Sequence, residues 1–224
     1  MRLGLAVILA ATNIAAQDQS WHPLFDGSTS KGWVDVTGKA FPTHSWAIEE
    51  GCLKALPRTD GAEDIRTVET FKSFELQFEW KLTKLGNSGV KYLIQRTDDW
   101  TNKEGRQARA RGLEYQLSDI YSPDFADPKK ITGALYSILA PSNANWKIGE
   151  FNESRLIVNA SHVEHWLNGV RVLSYETTEP NVQSALRGML PKGSEATPVT
   201  ESPISLQNHG SEAWFKKIRI RPLP

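Results

Sequence analysis

The chain has 224 residues, with 26 basic and 26 acidic side chains and no formal net charge. That balance gives no electrostatic reason to expect nucleic acid or an anionic membrane as a partner. The single Cys52 excludes an intrachain disulfide and reads as a buried small hydrophobe.

The first residues carry one positive charge, Arg2, then an apolar run through Ala11 and small residues ending at Ala16. The run is too short to span a bilayer and reads as a secretory signal peptide, residues 1–16. Residues 17–224 then form a single domain, exported to the periplasm or secreted. No later stretch is long and apolar enough to be transmembrane.

Asp26-Gly27 is a turn signal between Leu24-Phe25 and Trp33. Ser45 to Leu53 suggests two short strands around Glu50-Gly51, and Arg58 to Ile65 a polar loop. Phe74, Leu76, Phe78, Trp80 and Leu82 alternate strictly, which predicts a half-buried strand with Glu75, Gln77, Glu79 and Lys81 in water. Gly86 to Gly89 is a turn leading into a strand, Val90 to Arg96, with Lys91, Leu93 and Gln95 on one face. Thr97 to Arg111 is polar and reads as an exposed loop, in which Trp100 has no strand face to bury it.

Gly112 to Asp119 predicts a strand with Leu113, Tyr115 and Leu117 on one face and Glu114 and Gln116 on the other. Glu and Gln have low strand propensity, so that polar face is a candidate site. Asp119 stands at the strand's end, where it could close over the same site. Gly133 to Leu139 predicts another strand, carrying Tyr136. Phe151 to Asn159 and Ser161 to Leu167 are strands, and Asn168-Gly169 is the strongest hairpin signal in the chain. Val170 to Tyr175 is the returning strand, Asn181 to Leu190 the one short helix, and Pro203 to Gly210 and Ala213 to Arg221 the last strands. Many short strands with almost no helical period make an all-β chain, for which a two-sheet sandwich is the default.

Polar residues recur where a core strand would carry apolar ones: Lys91 and Gln95, Glu114 and Gln116, Tyr136, and Gln207 with His209. Burying these groups unpaired is costly, so together they suit a wet cleft that takes a polyhydroxylated ligand. Eight Trp is high for this length, and indole faces such as Trp100 can stack on a sugar ring. No metal-ligand spacing is present: His162 and His165 fall on opposite strand faces. No cofactor is expected, and a divalent metal as electrophile is left open. Glu114 and Asp119 are five apart, so both reach one site only if the strand bulges or ends between them. Either carboxylate with His209 could form a base–acid pair.

In order along the chain stand Leu24-Phe-Asp-Gly27 with Gly32-Trp33, Gly86-Asn-Ser-Gly89, Gly112-Leu-Glu-Tyr-Gln116 with Asp119, Thr132-Gly-Ala-Leu-Tyr136, His165-Trp-Leu-Asn-Gly169 and Leu206-Gln-Asn-His-Gly210. Together they resemble the 3-keto-disaccharide hydrolase family. Phe151-Asn152 stands where that family usually has Trp-Asn. The resemblance implies an antiparallel jelly-roll sandwich of the concanavalin A-like lectin/glucanase type, export, and action on 3-keto glycosides. It implies Glu114 or Asp119 as the base that takes the proton from carbon 2, and His209 as the acid. Lys91 or Tyr136 would stabilise the enolate, while Gln95, Trp100, Gln116 and Gln207 would bind substrate. Two other readings stand beside it: a non-catalytic carbohydrate-binding module, and a laminarinase-type glucanase.

Overall fold

The computed structural model describes residues 20–57, 60–119 and 127–224; the expected signal segment 1–16 lies outside them. Its elements are β1 (His22–Pro23), β2 (Trp33–Asp35), β3 (Trp46–Glu49), β4 (Cys52–Ala55), β5 (Gly61–Glu63), β6 (Ile65–Thr67), β7 (Phe74–Leu82), β8 (Asn87–Asn102), β9 (Gly105–Ser118), β10 (Asn152–Asn159), β11 (His162–Leu167), β12 (Val170–Glu176), α1 (Pro180–Met189), β13 (Ser205–Leu206) and β14 (Ala213–Pro222). They form two sheets. The larger runs β12-β11-β10-β7-β14-β4-β3, with β1 added on β14, and the smaller runs β2-β6-β13-β8-β9-β5. Pairing is antiparallel except between β5 and β9, which run parallel.

The core lies between the sheets. Phe74, Leu76, Phe78 and Trp80 of β7 are buried, and Leu113, Tyr115 and Leu117 of β9 face them. The alternation read from the sequence therefore sends Glu114 and Gln116 to the outer face of the smaller sheet. A polar seam crosses this core. Tyr92 Oη meets His165 Nε2 at 2.8 Å and Tyr175 Oη at 2.5 Å, and His165 Nδ1 donates to the Gly133 carbonyl at 2.9 Å. Burial holds the His165 pKa down at about 4, so the ring is neutral and its Nε2 accepts from Tyr92.

Several expectations are corrected. Thr97 to Arg111 is not a loop: β8 and β9 continue as a long hairpin through Trp100, which pairs with Gln107. Gly133 to Leu139 is a run of turns, not a strand. Its backbone covers the open edge of β9, with Tyr136 N donating to the Glu114 carbonyl at 3.0 Å and Gln116 N to Ala134 at 3.1 Å. Only Ser205–Leu206 of the expected last polar strand is paired. Glu75 is 3% exposed rather than solvated, held by Arg155 and Arg221. Trp33, Trp46 and Trp80 are core residues, while Trp21, Trp166 and Trp214 lie under Arg or Lys side chains. The Asn168-Gly169 turn has positive φ at both residues, as a type I′ hairpin requires.

Tyr92→Phe removes one hydroxyl and strands both His165 Nε2 and Tyr175 Oη in the core. The expected loss is about 1–3 kcal/mol in urea denaturation. An unchanged midpoint would mean that the seam contributes nothing to stability.

Candidate active site

A cleft of about 520 Å³ opens on the outer face of the smaller sheet, with α1 packed against β8 and β9 at one side. Glu114 sits in its floor, directly across the ladder from Lys91. The two side chains project together because Gly89, the next β8 position on that side, has none. A Cβ there would stand 2.3 Å from Glu114 Oε1, so the glycine leaves the space that the carboxylate fills.

Beneath the floor is a second carboxylate, Asp64, between β5 and β6 and 0% exposed. It accepts from Lys91 Nζ at 2.8 Å, from an Arg109 guanidinium nitrogen at 3.1 Å, and from the backbone N–H of Ala110 and of Asn208 at 3.2 Å each. These donors saturate the buried charge. They also aim two cations at the cleft. Asn208 is tied further by its amide nitrogen to the Ser45 and Leu56 carbonyls, which fixes the turn carrying Gln207 and His209.

Burial pushes the Glu114 carboxyl up to about 7, against the pull of Lys91, Arg109 and Arg111 and with the push of Asp64. It is therefore poised to exchange a proton near neutrality. Gln116 and Gln207 flank it, 0% and 9% exposed. Gln116 donates its amide to Asn87 Oδ1 at 3.3 Å. The Oε1 atoms of both glutamines have no hydrogen-bond partner among the described residues. Two buried acceptors in one cleft call for donors from a ligand, such as sugar hydroxyls.

Lys91, Trp100, Glu114, Gln116, Tyr136, Gln207 and His209 all line this cleft; strand alternation accounts for Lys91, Glu114 and Gln116, while Tyr136, Gln207 and His209 arrive on turns and Trp100 on the hairpin extension. Asp119 does not. No register shift occurs in β9 between Glu114 and its end, so the odd spacing puts Asp119 on the other side. There it accepts from Leu85 N at 2.5 Å and holds the turn before β8. Gln95 is also absent. The register slips between Tyr92 and Arg96, Leu93 takes φ 48°, and residues 93–95 oppose Gly112 alone. Gln95 consequently braces another segment, donating to Leu93 and Val199 carbonyls and accepting from Val199 N at 2.8 Å. Asp64, Arg96, Arg109 and Arg111 were not singled out by sequence. Alternation would not have found Arg109 and Arg111, whose parity matches Leu113 rather than Glu114. Among the described residues, no three His, Cys, Asp or Glu side chains gather as a metal site.

The chain matches a family model described as the 3-keto-alpha-glucoside-1,2-lyase-like domain over residues 20–221. It is 30% identical to a 3-keto-disaccharide hydrolase of Bacteroides thetaiotaomicron, an alignment covering 89% of this chain and 77% of that protein. A solved structure from Parabacteroides distasonis ATCC 8503, provisionally assigned as a glycosyl hydrolase, superposes with a TM-score of 0.73. The identity is 26%, over 92% of this chain and 95% of that one. The carbohydrate-binding module CBM66 from Bacillus subtilis shares the fold at a TM-score of 0.50 and 12% identity, over 85% of this chain and 95% of that one. The two-sheet sandwich is of the concanavalin A-like lectin/glucanase type.

Asp64→Asn leaves Lys91 and Arg109 buried beside a neutral amide, which is expected to cost about 3 kcal/mol in urea denaturation. Adding Lys91→Met should restore part of that loss, because one orphaned charge goes with it. Equal stability of the single and double variants would show that Asp64 does not serve to compensate Lys91.

Proposed function

Because the chain belongs to the 3-keto-disaccharide hydrolase family, we propose that it cleaves 3-keto glycosides by abstraction of the carbon-2 proton, with Glu114 as the base. The observation that carries this reading is a count of charge. Among the described residues lining the cleft, Glu114 is the only carboxylate, and the other charged side chains are basic. A conventional glycosidase needs two carboxylates about the scissile bond. A 3-keto sugar needs one base, because the ketone itself acidifies the neighbouring C–H.

In this reading the Glu114 carboxylate takes the proton from carbon 2, and the electron pair moves onto O3 as an enolate. Lys91, which spends one of its donors on Asp64, keeps others for that oxygen, with Tyr136 beside Glu114 as a second donor. Collapse of the enolate restores the ketone, forms the C1=C2 double bond and expels the aglycone oxygen from carbon 1. His209, exposed at the cleft rim, gives that oxygen its proton. Water then adds across C1=C2, hydroxyl to carbon 1 and proton to carbon 2, so the net reaction is hydrolysis. Gln116 and Gln207 accept from the sugar hydroxyls. The N-terminal signal pattern supports action in the periplasm or outside the cell.

The purified protein is expected to release the aglycone from a 3-keto glucoside and not from the parent glucoside. Release from the parent at a comparable rate would point to a two-carboxylate mechanism instead. Glu114→Gln should lower turnover by about 10²–10⁴. The wild-type rate should rise with pH through about 7 as Glu114 ionises. Full activity in the glutamine variant would remove Glu114 from this role.

The same carboxyl carries a stability cost with a definite sign. Its folded pKa, about 7, lies above the ordinary 4.5, so the folded protein holds the proton more tightly. Stability is intact below pH 4.5 and is lost as pH rises toward 7. Glu114→Gln should therefore melt above wild type at pH 8, with the gap closing toward pH 4. A variant less stable than wild type at pH 8 would contradict a raised carboxyl.

A further inference from the structure

Beyond Glu114 the cleft changes character. The next β9 residues on the Glu114 face, toward the hairpin, are Gly112 and Ala110, and both line the cleft. Neither brings a large side chain, and Ala110 is buried against Val36 and Ile94, while Arg96, Arg109 and Arg111 line the same stretch from the side. Gly112 has a packing reason, since a Cβ would stand 2.6 Å from the Tyr92 carbonyl oxygen of β8. Trp100, across the ladder from Gln107 on the same hairpin, also lines the cleft and is 39% exposed.

The C-terminal end of α1 supplies another wall. Arg96 holds it there, one guanidinium nitrogen donating to the Met189 carbonyl at 2.8 Å and the Leu190 carbonyl at 2.7 Å. Val182 and Leu186 bury the helix's other side. Gly188 is the residue without a local reason. It is helical, its φ is not positive, and nothing lies within 4 Å of where a Cβ would stand. Glycine weakens a helix relative to alanine. Neither backbone nor packing asks for it, yet it lines the cleft.

We infer that this trough is the subsite for the leaving group of the reaction proposed above, a conclusion that rests on Glu114 marking the reacting end. It takes a ring-bearing aglycone stacked on Trp100, and Gly188 keeps the helix wall far enough back to admit that ring. A small leaving group such as methanol gains nothing from either feature.

The test is the ratio of kcat/KM for a 3-keto disaccharide to that for methyl 3-keto-glucoside, measured in wild type, Gly188→Phe and Trp100→Ala. The ratio should fall about tenfold or more in Gly188→Phe, where the added ring fills the trough. It should fall several-fold, up to about tenfold, in Trp100→Ala, where stacking is lost. Gly188→Ala should raise Tm, as the helix then loses nothing to glycine. Ratios within twofold of wild type in both cleft variants, with the wild type active, would sink the subsite alone. A lowered Tm for Gly188→Ala would return the glycine to a structural role and overturn the inference. Wild-type inertness toward both keto glycosides would bring down the reading beneath it as well.

Discussion

A carboxylate with no exposed surface has to be saturated with donors, and Asp64 meets that need by drawing in four groups from three separate parts of the chain. Everything else about the cleft follows from this. Lys91 and Arg109 are held at the floor as cations, yet the anion below offsets much of their field. Burial raises the Glu114 carboxyl above its ordinary pKa, and Asp64 opposes part of the pull that Lys91 and Arg109 exert on it. For the reaction proposed above, the pairing reconciles two demands that otherwise conflict: positive charge near a developing enolate, and a base that still prefers a proton near neutrality.

The sandwich itself decides little of this chemistry. The fold is shared with a carbohydrate-binding module of 12% identity, and a common fold does not imply a common reaction. What marks this chain is a polar cleft on the outer face of its smaller sheet with Glu114 as the one carboxylate among its described lining residues. In the reaction proposed above the substrate already holds a ketone, so the electron sink that a second acidic side chain would help to create is carried by the sugar. On that proposal the protein's remaining tasks are to place one base, to receive charge on one oxygen, and to let the aglycone leave.

Where the sequence was legible, the reason was period. The two-residue alternation of β7 and of Leu113–Leu117 sets both the core and the outward face of Glu114, and Asn168-Gly169 marks its own turn. Gln95 was misplaced because parity arguments assume an unbroken ladder. The bulge at Leu93 breaks it, and no residue type there announces positive φ. Asp119 obeyed parity and so left the site. Asp64 was invisible for a different reason: it lies in a short polar stretch without period, and its importance comes from partners far away in the chain. The tryptophans misled because an indole suits a core or a cation as well as it suits a sugar.

The bond between Asn208 N and Asp64 spans 144 positions, and the Lys91 and Ala110 bonds to the same carboxylate span 27 and 46. Contacts so separated form only after the loops between them have closed. The β8–β9 hairpin can zip early from its own turn, but the floor it presents stays incomplete until the Gln207–His209 segment docks near the chain's end. Completion of the cleft is thus a late event in folding. During synthesis, a nascent chain lacking its final strands would hold Glu114, Lys91, Arg109 and Asp64 but not the Asn208 N–H that completes the donors around Asp64.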